Sequence, residues 1–124
     1  KNKLVTIKAA LLDQKVIGGL GNIYVCEILY RAKVSPNRKA RSLTKKIIDK
    51  LIWVIRVVLL EAIDAGGSSL KDHRQTSGEV GYFQHNFAVY GRTDQNCLDD
   101  NCPGVVKKTV QGGRSTFYCP QCQR

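Results

Sequence analysis

The chain holds 124 residues, with 20 Lys+Arg against 10 Asp+Glu, a formal net charge of +10 and five cysteines. At 43% apolar and 24% charged residues its composition is globular, which excludes wholesale disorder, and its length suits one domain or a helical domain with a small metal-stabilised appendage. No apolar run approaches the ~20 residues of a membrane span, no signal-peptide pattern is evident, and an odd cysteine count argues against a fully disulfide-paired secreted framework.

A large positive charge serves solubility in some proteins, but it also favours a polyanionic partner, nucleic acid ahead of anionic lipid. Here the distribution sharpens that expectation. Residues 1–50 carry twelve Lys/Arg and three Asp/Glu, residues 51–100 four and seven, and residues 101–124 four and none. The basic charge sits at both ends of the chain, so a polyanion would be gripped by two separate elements.

Residues 6–13 predict a short helix with Ile7, Ala10 and Leu11 on one face. Gly18-Gly19-Leu20-Gly21 breaks it, Asn22 suits an N-cap, and residues 23–30 predict a second helix that cannot outlast Ser35-Pro36. Helix, glycine turn and helix form a helix-turn-helix-like unit with a long connector. After a basic linker at 37–41, Ser42 is expected to cap the longest helix, Leu43 to Ala65. Its Ile47, Leu51, Val54, Ile55, Val58, Leu59 and Ala62 keep the 3–4 spacing of a core-facing stripe, and Gly66-Gly67 is expected to end it. Residues 68–86 predict a long polar loop, either functional or disordered. Phe87–Tyr90 then predicts a strand, and Val105–Val110 with Arg114–Tyr118 a hairpin around Gln111-Gly112-Gly113.

The cysteines carry the sharpest signal. Cys97 and Cys102 are separated by four residues, Cys119 and Cys122 by two, and the sixteen residues between the pairs hold the predicted hairpin. Two cysteine knuckles bracketing a hairpin are the layout of a four-thiolate zinc site; two disulfides are the alternative. Cys26, in an apolar helix, reads as a buried and inert thiol. So short a segment cannot build a core unaided, so one structural Zn2+ would supply most of its folding energy. Lys107, Lys108 and Arg114 on the hairpin suit phosphate contact. At the other end, Gly21-Asn22 at a helix start could form an anion site from free N–H groups and a close backbone approach, with the Asn22 amide as a further donor. A plain N-cap is the equal alternative. His73 and His85 have no motif partner and read as loop surface residues, and Glu27 is expected to steady the glycine turn, with a DNA-proximal role as the alternative.

Gly19-Leu-Gly-Asn-Ile-Tyr24, Gly78-Glu-Val-Gly-Tyr-Phe83, Val89-Tyr-Gly-Arg92 and Arg114-Ser-Thr-Phe-Tyr-Cys-Pro-Gln-Cys122, in that order, resemble the C-terminal half of bacterial formamidopyrimidine-DNA glycosylase. The resemblance runs from about Lys3 to Arg124. It implies a mainly α fold, a helix-two-turn-helix bundle over residues 1–86 followed by a small β-hairpin zinc finger over 87–124. The endonuclease VIII relatives share this architecture, but the Gly78–Phe83 loop is closer to the formamidopyrimidine branch. Enzymes of the family remove oxidised purines such as 8-oxoguanine and formamidopyrimidine from duplex DNA, after the base leaves the stack. The attacking group is the amine of an N-terminal proline. This chain begins Lys1-Asn2 and has prolines only at 36, 103 and 120, so a fragment or isolated domain without the catalytic half is expected.

Carried over by position, the resemblance makes Asn22 and Gly21 part of a phosphate site beside the lesion and Lys3 a DNA-contacting lysine. It makes Arg114 a phosphate ligand and the proton donor in δ-elimination; the arginine's forked donors and high pKa favour the first role. Ser69, Leu70, Lys71, Asp72 and His73 match the start of a loop, about 68–83, that caps the everted purine. Cys97, Cys102, Cys119 and Cys122 match the zinc ligands, although the family usually has two residues in the first cysteine gap where this chain has four. The partners implied are damaged double-stranded DNA and an N-terminal catalytic domain, with no membrane, in a monomer of the bacterial cytoplasm associated with the nucleoid. A non-enzymatic zinc-ribbon nucleic-acid-binding module is the alternative, disfavoured because it has no need of the Ser69–Phe83 loop or Val89-Tyr-Gly-Arg92. A zinc-stabilised protein-interaction domain fits the charge distribution poorly.

Overall fold

The computed structural model describes residues 5–13, 21–72 and 87–124, with the backbone alone for 65–72. Helix α1 (Ile7–Leu12) is capped by Thr6, whose Oγ1 accepts the Ala9 N–H at 3.1 Å. Its approach is fixed by backbone hydrogen bonds to the basic linker, Ile7 N–H to Arg38 O at 2.7 Å and Ala40 N–H to Val5 O at 2.9 Å. Helix α2 (Gly21–Ala32) is buried on nearly every side: Val25, Ile28, Leu29 and Ala32 have no exposed surface. It ends in a Schellman turn, with Val34 N–H on Leu29 O and Lys33 N–H on Tyr30 O, both at 3.0 Å. The left-handed position of that turn is filled by Lys33 (φ +62°) rather than glycine.

A single 3₁₀ turn (Ala40–Ser42) precedes α3 (Lys45–Asp72). The expected Ser42 cap is not formed, because Ser42 Oγ is engaged by the preceding turn, donating to Lys39 O at 2.8 Å and accepting from Arg38 Nε at 3.0 Å. Thr44 caps α3 instead, its Oγ1 accepting the Ile47 N–H at 3.2 Å. The helix also runs through Gly66-Gly67 to Asp72 instead of stopping there. Each glycine weakens a helix by about 1 kcal/mol relative to alanine but blocks no hydrogen bond, and no proline follows to terminate the run. Leu51, Val58 and Ala62 of the expected stripe are buried, with Ile47, Val54, Ile55 and Leu59 packed beside them against α2 and α1.

The C-terminal unit is a hairpin, β1 (Lys107–Gln111) antiparallel to β2 (Arg114–Tyr118), in register from Lys107 opposite Tyr118 to Gln111 opposite Arg114. Gly112 and Gly113 have φ of +58° and +79°, the two positive angles that a two-residue turn matching strand twist requires. β1 starts two residues later than the sequence suggests, since Val105 forms an isolated bridge with Asn96.

The expected strand at Phe87–Tyr90 is absent. Its N–H groups are occupied by a side chain: the Glu27 carboxylate accepts from Ala88 at 2.8 Å, Val89 at 3.0 Å and Tyr90 at 2.9 Å. A segment whose donors converge on one carboxylate bends around it and cannot form a ladder. Glu27 therefore anchors this segment; residues 18–20 of the glycine turn it was expected to steady lie outside the described residues. Because α2 supplies Tyr24, Val25, Ile28, Leu29 and Ala32 to the helical core, and Cys26 and Tyr30 to a second core with Val89, Val106, Phe117 and Cys119, one helix serves both units.

Glu27 is 6% exposed, so losing its acceptors would strand buried N–H donors. Glu27→Gln keeps the volume but sets an NH₂ donor against them. It is expected to lower the unfolding free energy by about 2–4 kcal/mol, read as a lower urea midpoint for the zinc-loaded chain; an unchanged midpoint would show that the carboxylate is dispensable.

Candidate nucleic-acid interface and metal centre

Asn22 lies in the first turn of α2, just after Gly21, whose φ of +70° and open surroundings leave the backbone accessible. The Asn22 amide does not cap the helix. Its Nδ2 donates to Ser115 O at 2.7 Å, pinning the start of α2 to β2 beside Arg114. Asn22 Oδ1 is buried without a hydrogen-bond partner among the described residues, and Nδ2 keeps a second N–H. Arg114, exposed at the head of β2, has no carboxylate partner among the described residues.

A cleft of about 660 Å³ opens between α1 and the hairpin turn, bordered by Thr6, Lys8, Asp13, Gln111, Gly112 and Arg114. Lys8 was not singled out in the sequence. It is 1% exposed, and its Nζ has no hydrogen-bond partner among the described residues. Burial lowers its pKa, Cys26 opposes that and Arg114 adds to it. The one signal in the sequence was a lysine set within the apolar run from Ile7 to Leu12. The structure thus brings Gly21, Asn22 and Arg114 together with Lys8. Lys3, His73, His85 and the Gly78–Phe83 stretch lie outside the described residues. Ser69, Leu70, Lys71 and Asp72, expected in a loop, form the last turn of α3.

The four cysteines of the hairpin unit converge. All are free thiols, and their Sγ atoms lie within 4.8 Å of one another, with Cys97–Cys122 at 3.5 Å and Cys102–Cys119 at 3.7 Å. A tetrahedral zinc with Zn–S bonds near 2.3 Å sets its sulfurs about 3.8 Å apart, so the donor set fits that ion and the disulfide alternative is not formed. The four-residue first knuckle closes through an Asx turn, Asn101 N–H donating to Asp99 Oδ1 at 2.9 Å, which absorbs the extra length. Burial alone would raise the Cys97 thiol; hydrogen bonds from the Tyr30 hydroxyl, a backbone N–H and the neighbouring thiols outweigh it and bring its pKa down to about 7. Burial and the other thiols push Cys122 up. Cys26, buried and also raised by burial, stands apart from the set. Gly104, unremarked in the sequence, is what lets the knuckles close: a Cβ there would meet Gln121 Cβ at 2.5 Å and Cys119 Sγ at 2.8 Å. Its N–H also donates to Cys102 Sγ at 3.3 Å.

Residues 1–74 match the family described as the formamidopyrimidine-DNA glycosylase H2TH domain. The chain belongs to the formamidopyrimidine-DNA glycosylase family. Residues 100–124 match the zinc finger found in FPG and IleRS, so this member of the family carries a zinc finger able to bind one zinc ion through Cys97, Cys102, Cys119 and Cys122. The formamidopyrimidine-DNA glycosylase of Rhodopseudomonas palustris (strain BisA53) is 60% identical over 98% of this chain and 44% of its own length. That of Dinoroseobacter shibae is 57% identical over 100% and 44%. Among solved structures, Lactococcus lactis Fpg in complex with abasic-site DNA superposes with a TM-score of 0.82 at 36% identity, over 99% of this chain and 43% of that one. The same enzyme with FAPY-dG DNA gives 0.81. The chain thus spans about 44% of the curated formamidopyrimidine-DNA glycosylases it matches. No helix among the described residues is long and apolar enough to cross a membrane.

Thiols must lose protons to bind the metal, so protons compete with zinc and affinity falls as pH falls. With Cys97 near 7 and Cys122 higher, zinc affinity is expected to drop more than tenfold per pH unit below neutrality, measured by competition with a chromophoric chelator. A flat profile would exclude thiol ligation. Gly104→Ala should weaken zinc at least tenfold at fixed pH by driving Cys119 Sγ off the tetrahedron.

Proposed function

We propose that residues 1–124 are the DNA-binding half of a base-excision glycosylase and AP lyase that removes oxidised purines, 8-oxoguanine and formamidopyrimidine, from duplex DNA. The observation that carries this reading is the Asn22–Ser115 hydrogen bond, which joins the glycine-flanked start of α2 to the strand bearing Arg114 across 93 positions of sequence. Helix N-terminus, amide and guanidinium are three anion-binding devices, and together they fit adjoining phosphates of one strand. The buried Lys8 ammonium, whose Nζ has no hydrogen-bond partner among the described residues, adds positive potential behind them. Support also comes from the Lactococcus enzyme of the same fold, which is described in complexes with abasic-site and FAPY-dG DNA.

In this reading Gly21, Asn22 and Arg114 hold phosphates beside the lesion, and Lys3 adds a further contact. Arg114 is the residue of this half with an assigned part in δ-elimination, exerted chiefly by gripping the phosphate that departs. The stretch from Ser69 to His73 begins the segment that covers the everted base. An upstream catalytic domain supplies the proline amine, the two halves act as one monomer, and the cellular setting is the bacterial nucleoid. The alternative, a non-enzymatic zinc-ribbon binding module, is disfavoured by the match of residues 1–74 to a glycosylase domain.

Because these contacts address phosphates, binding should depend steeply on salt and weakly on sequence. Arg114→Ala should lower affinity about equally for all duplexes and flatten the salt slope by about one phosphate contact. Unchanged affinity and slope would remove Arg114 from the interface. Residues 1–124 alone, with prolines only at 36, 103 and 120, should bind duplex but release no base. Incubation with lesion-bearing DNA under borohydride should give no covalent adduct. An adduct that survives controls for contaminating enzyme would reveal a second nucleophile.

A further inference from the structure

The metal centre is bordered by groups from the helical unit. The Tyr30 hydroxyl lies 3.1 Å from Cys97 Sγ in a buried contact. When that sulfur is a metal-bound thiolate it has no proton to give, so the hydroxyl is the donor. Three residues on, Lys33 Nζ lies 3.7 Å from Cys122 Sγ, 4.1 Å from the centroid of the Tyr30 ring and 3.5 Å from Asp99 Oδ2. Asp99 belongs to the four-residue gap of the first knuckle, so the longer knuckle brings its own acid to Lys33. Lys33 does this from a left-handed backbone position that glycine would fill with less strain. From that position its side chain touches a cysteine sulfur, an aromatic face and a carboxylate at once.

Four thiolates on one Zn2+ leave a net charge of −2, in a site where Cys119 is wholly buried and Cys97 nearly so. Excess charge in such surroundings is unfavourable without compensation. We propose that Tyr30 and Lys33 are an outer shell of the zinc centre. Tyr30 donates to Cys97, Lys33 places positive charge at Cys122, and Asp99 positions Lys33. Together they withdraw electron density from two of the four sulfurs and slow the loss of the metal. Outer-shell partners of this kind typically change metal affinity by 10–100-fold. The inference is independent of which DNA the chain binds, and it makes the end of α2 part of the metal site.

The test is zinc release from the chain to excess chromophoric chelator, together with the thiolate-to-metal charge-transfer band of the cobalt-substituted protein. A four-thiolate cobalt spectrum in the parent establishes the centre itself. Tyr30→Phe and Lys33→Gly should each release zinc about tenfold faster or more and shift the cobalt band to lower energy, because less stabilised thiolates give up charge more readily. Lys33→Arg should restore slow release. Lys33→Gly is the discriminating variant: it relieves the left-handed strain, so a purely structural role for Lys33 predicts unchanged or slower release. That result overturns the proposal, as do unchanged spectra and rates in both variants. A lower melting temperature of Tyr30→Phe without a spectral shift marks packing alone and also overturns it.

Discussion

Three backbone N–H groups meeting on one buried carboxylate decide how the two ends of this chain come together. Glu27 sits midway along α2 and holds residues 88–90 in a bend. That bend sends Val89 into the second core and lays the Tyr90 ring edge-on to Phe117, centroids 4.6 Å apart. Phe87 is set edge-on between Tyr24 and Tyr90 in the same way. Arg92 then fixes the exit of the bend, its guanidinium donating to the carbonyls of Ala88 and Asn96, and so delivers the chain to Cys97 in the geometry the knuckle needs. Each hydrogen bond to an ionised acceptor is stronger than a neutral one, and three on a single buried group specify an arrangement as well as stabilise it.

From the same helix the positive surface is organised. The basic charge at the two ends of the sequence is brought together in space, since Lys8 of α1 and Arg114 of β2 border one cleft while Asn22 of α2 bonds across to the strand. Of the candidate donors, the exposed Arg114 guanidinium has no carboxylate partner among the described residues, while the Asn22 amide is held by its bond to the strand. The hairpin turn is equally fixed, since Gln111 Nε2 donates to Pro36 O at 3.2 Å and Asn37 Oδ1 at 3.0 Å.

What was legible in the sequence followed from regular spacing. The four cysteines, the Gly112-Gly113 turn and the α3 stripe each rest on a local pattern, and each is in the structure. What was not legible depended on partners far along the chain. Phe87–Tyr90 has strand-like composition, and only the presence of Glu27, about sixty residues earlier, diverts its donors. Ser42 and Thr44 are both competent caps; the choice fell to Thr44 because Arg38 and Lys39 had already engaged Ser42. The glycine pair at 66 and 67 looked like a stop, yet glycine only weakens a helix. Lys8 could be seen as a residue but not as a buried one, because a lysine within an apolar run carries no local pattern that marks it for burial. At the candidate interface the sequence located Asn22 and Arg114 separately, and only the fold shows them on adjoining elements.

The sharing of α2 between two cores bears on how such a protein can be rearranged over time. A cut near residue 86 looks like a natural seam, since a helical unit lies before it and a finger after it. The finger, however, draws Cys26 and Tyr30 from before the seam, and its last residues strap back across it, Gln123 Nε2 to Val34 O at 3.0 Å and Arg124 N–H to Lys33 O at 3.1 Å. Recombination at that seam would hand the recipient a finger stripped of one wall and the donor a helix with an exposed flank. A finger carried onto another scaffold would therefore need a new wall in place of Cys26 and Tyr30.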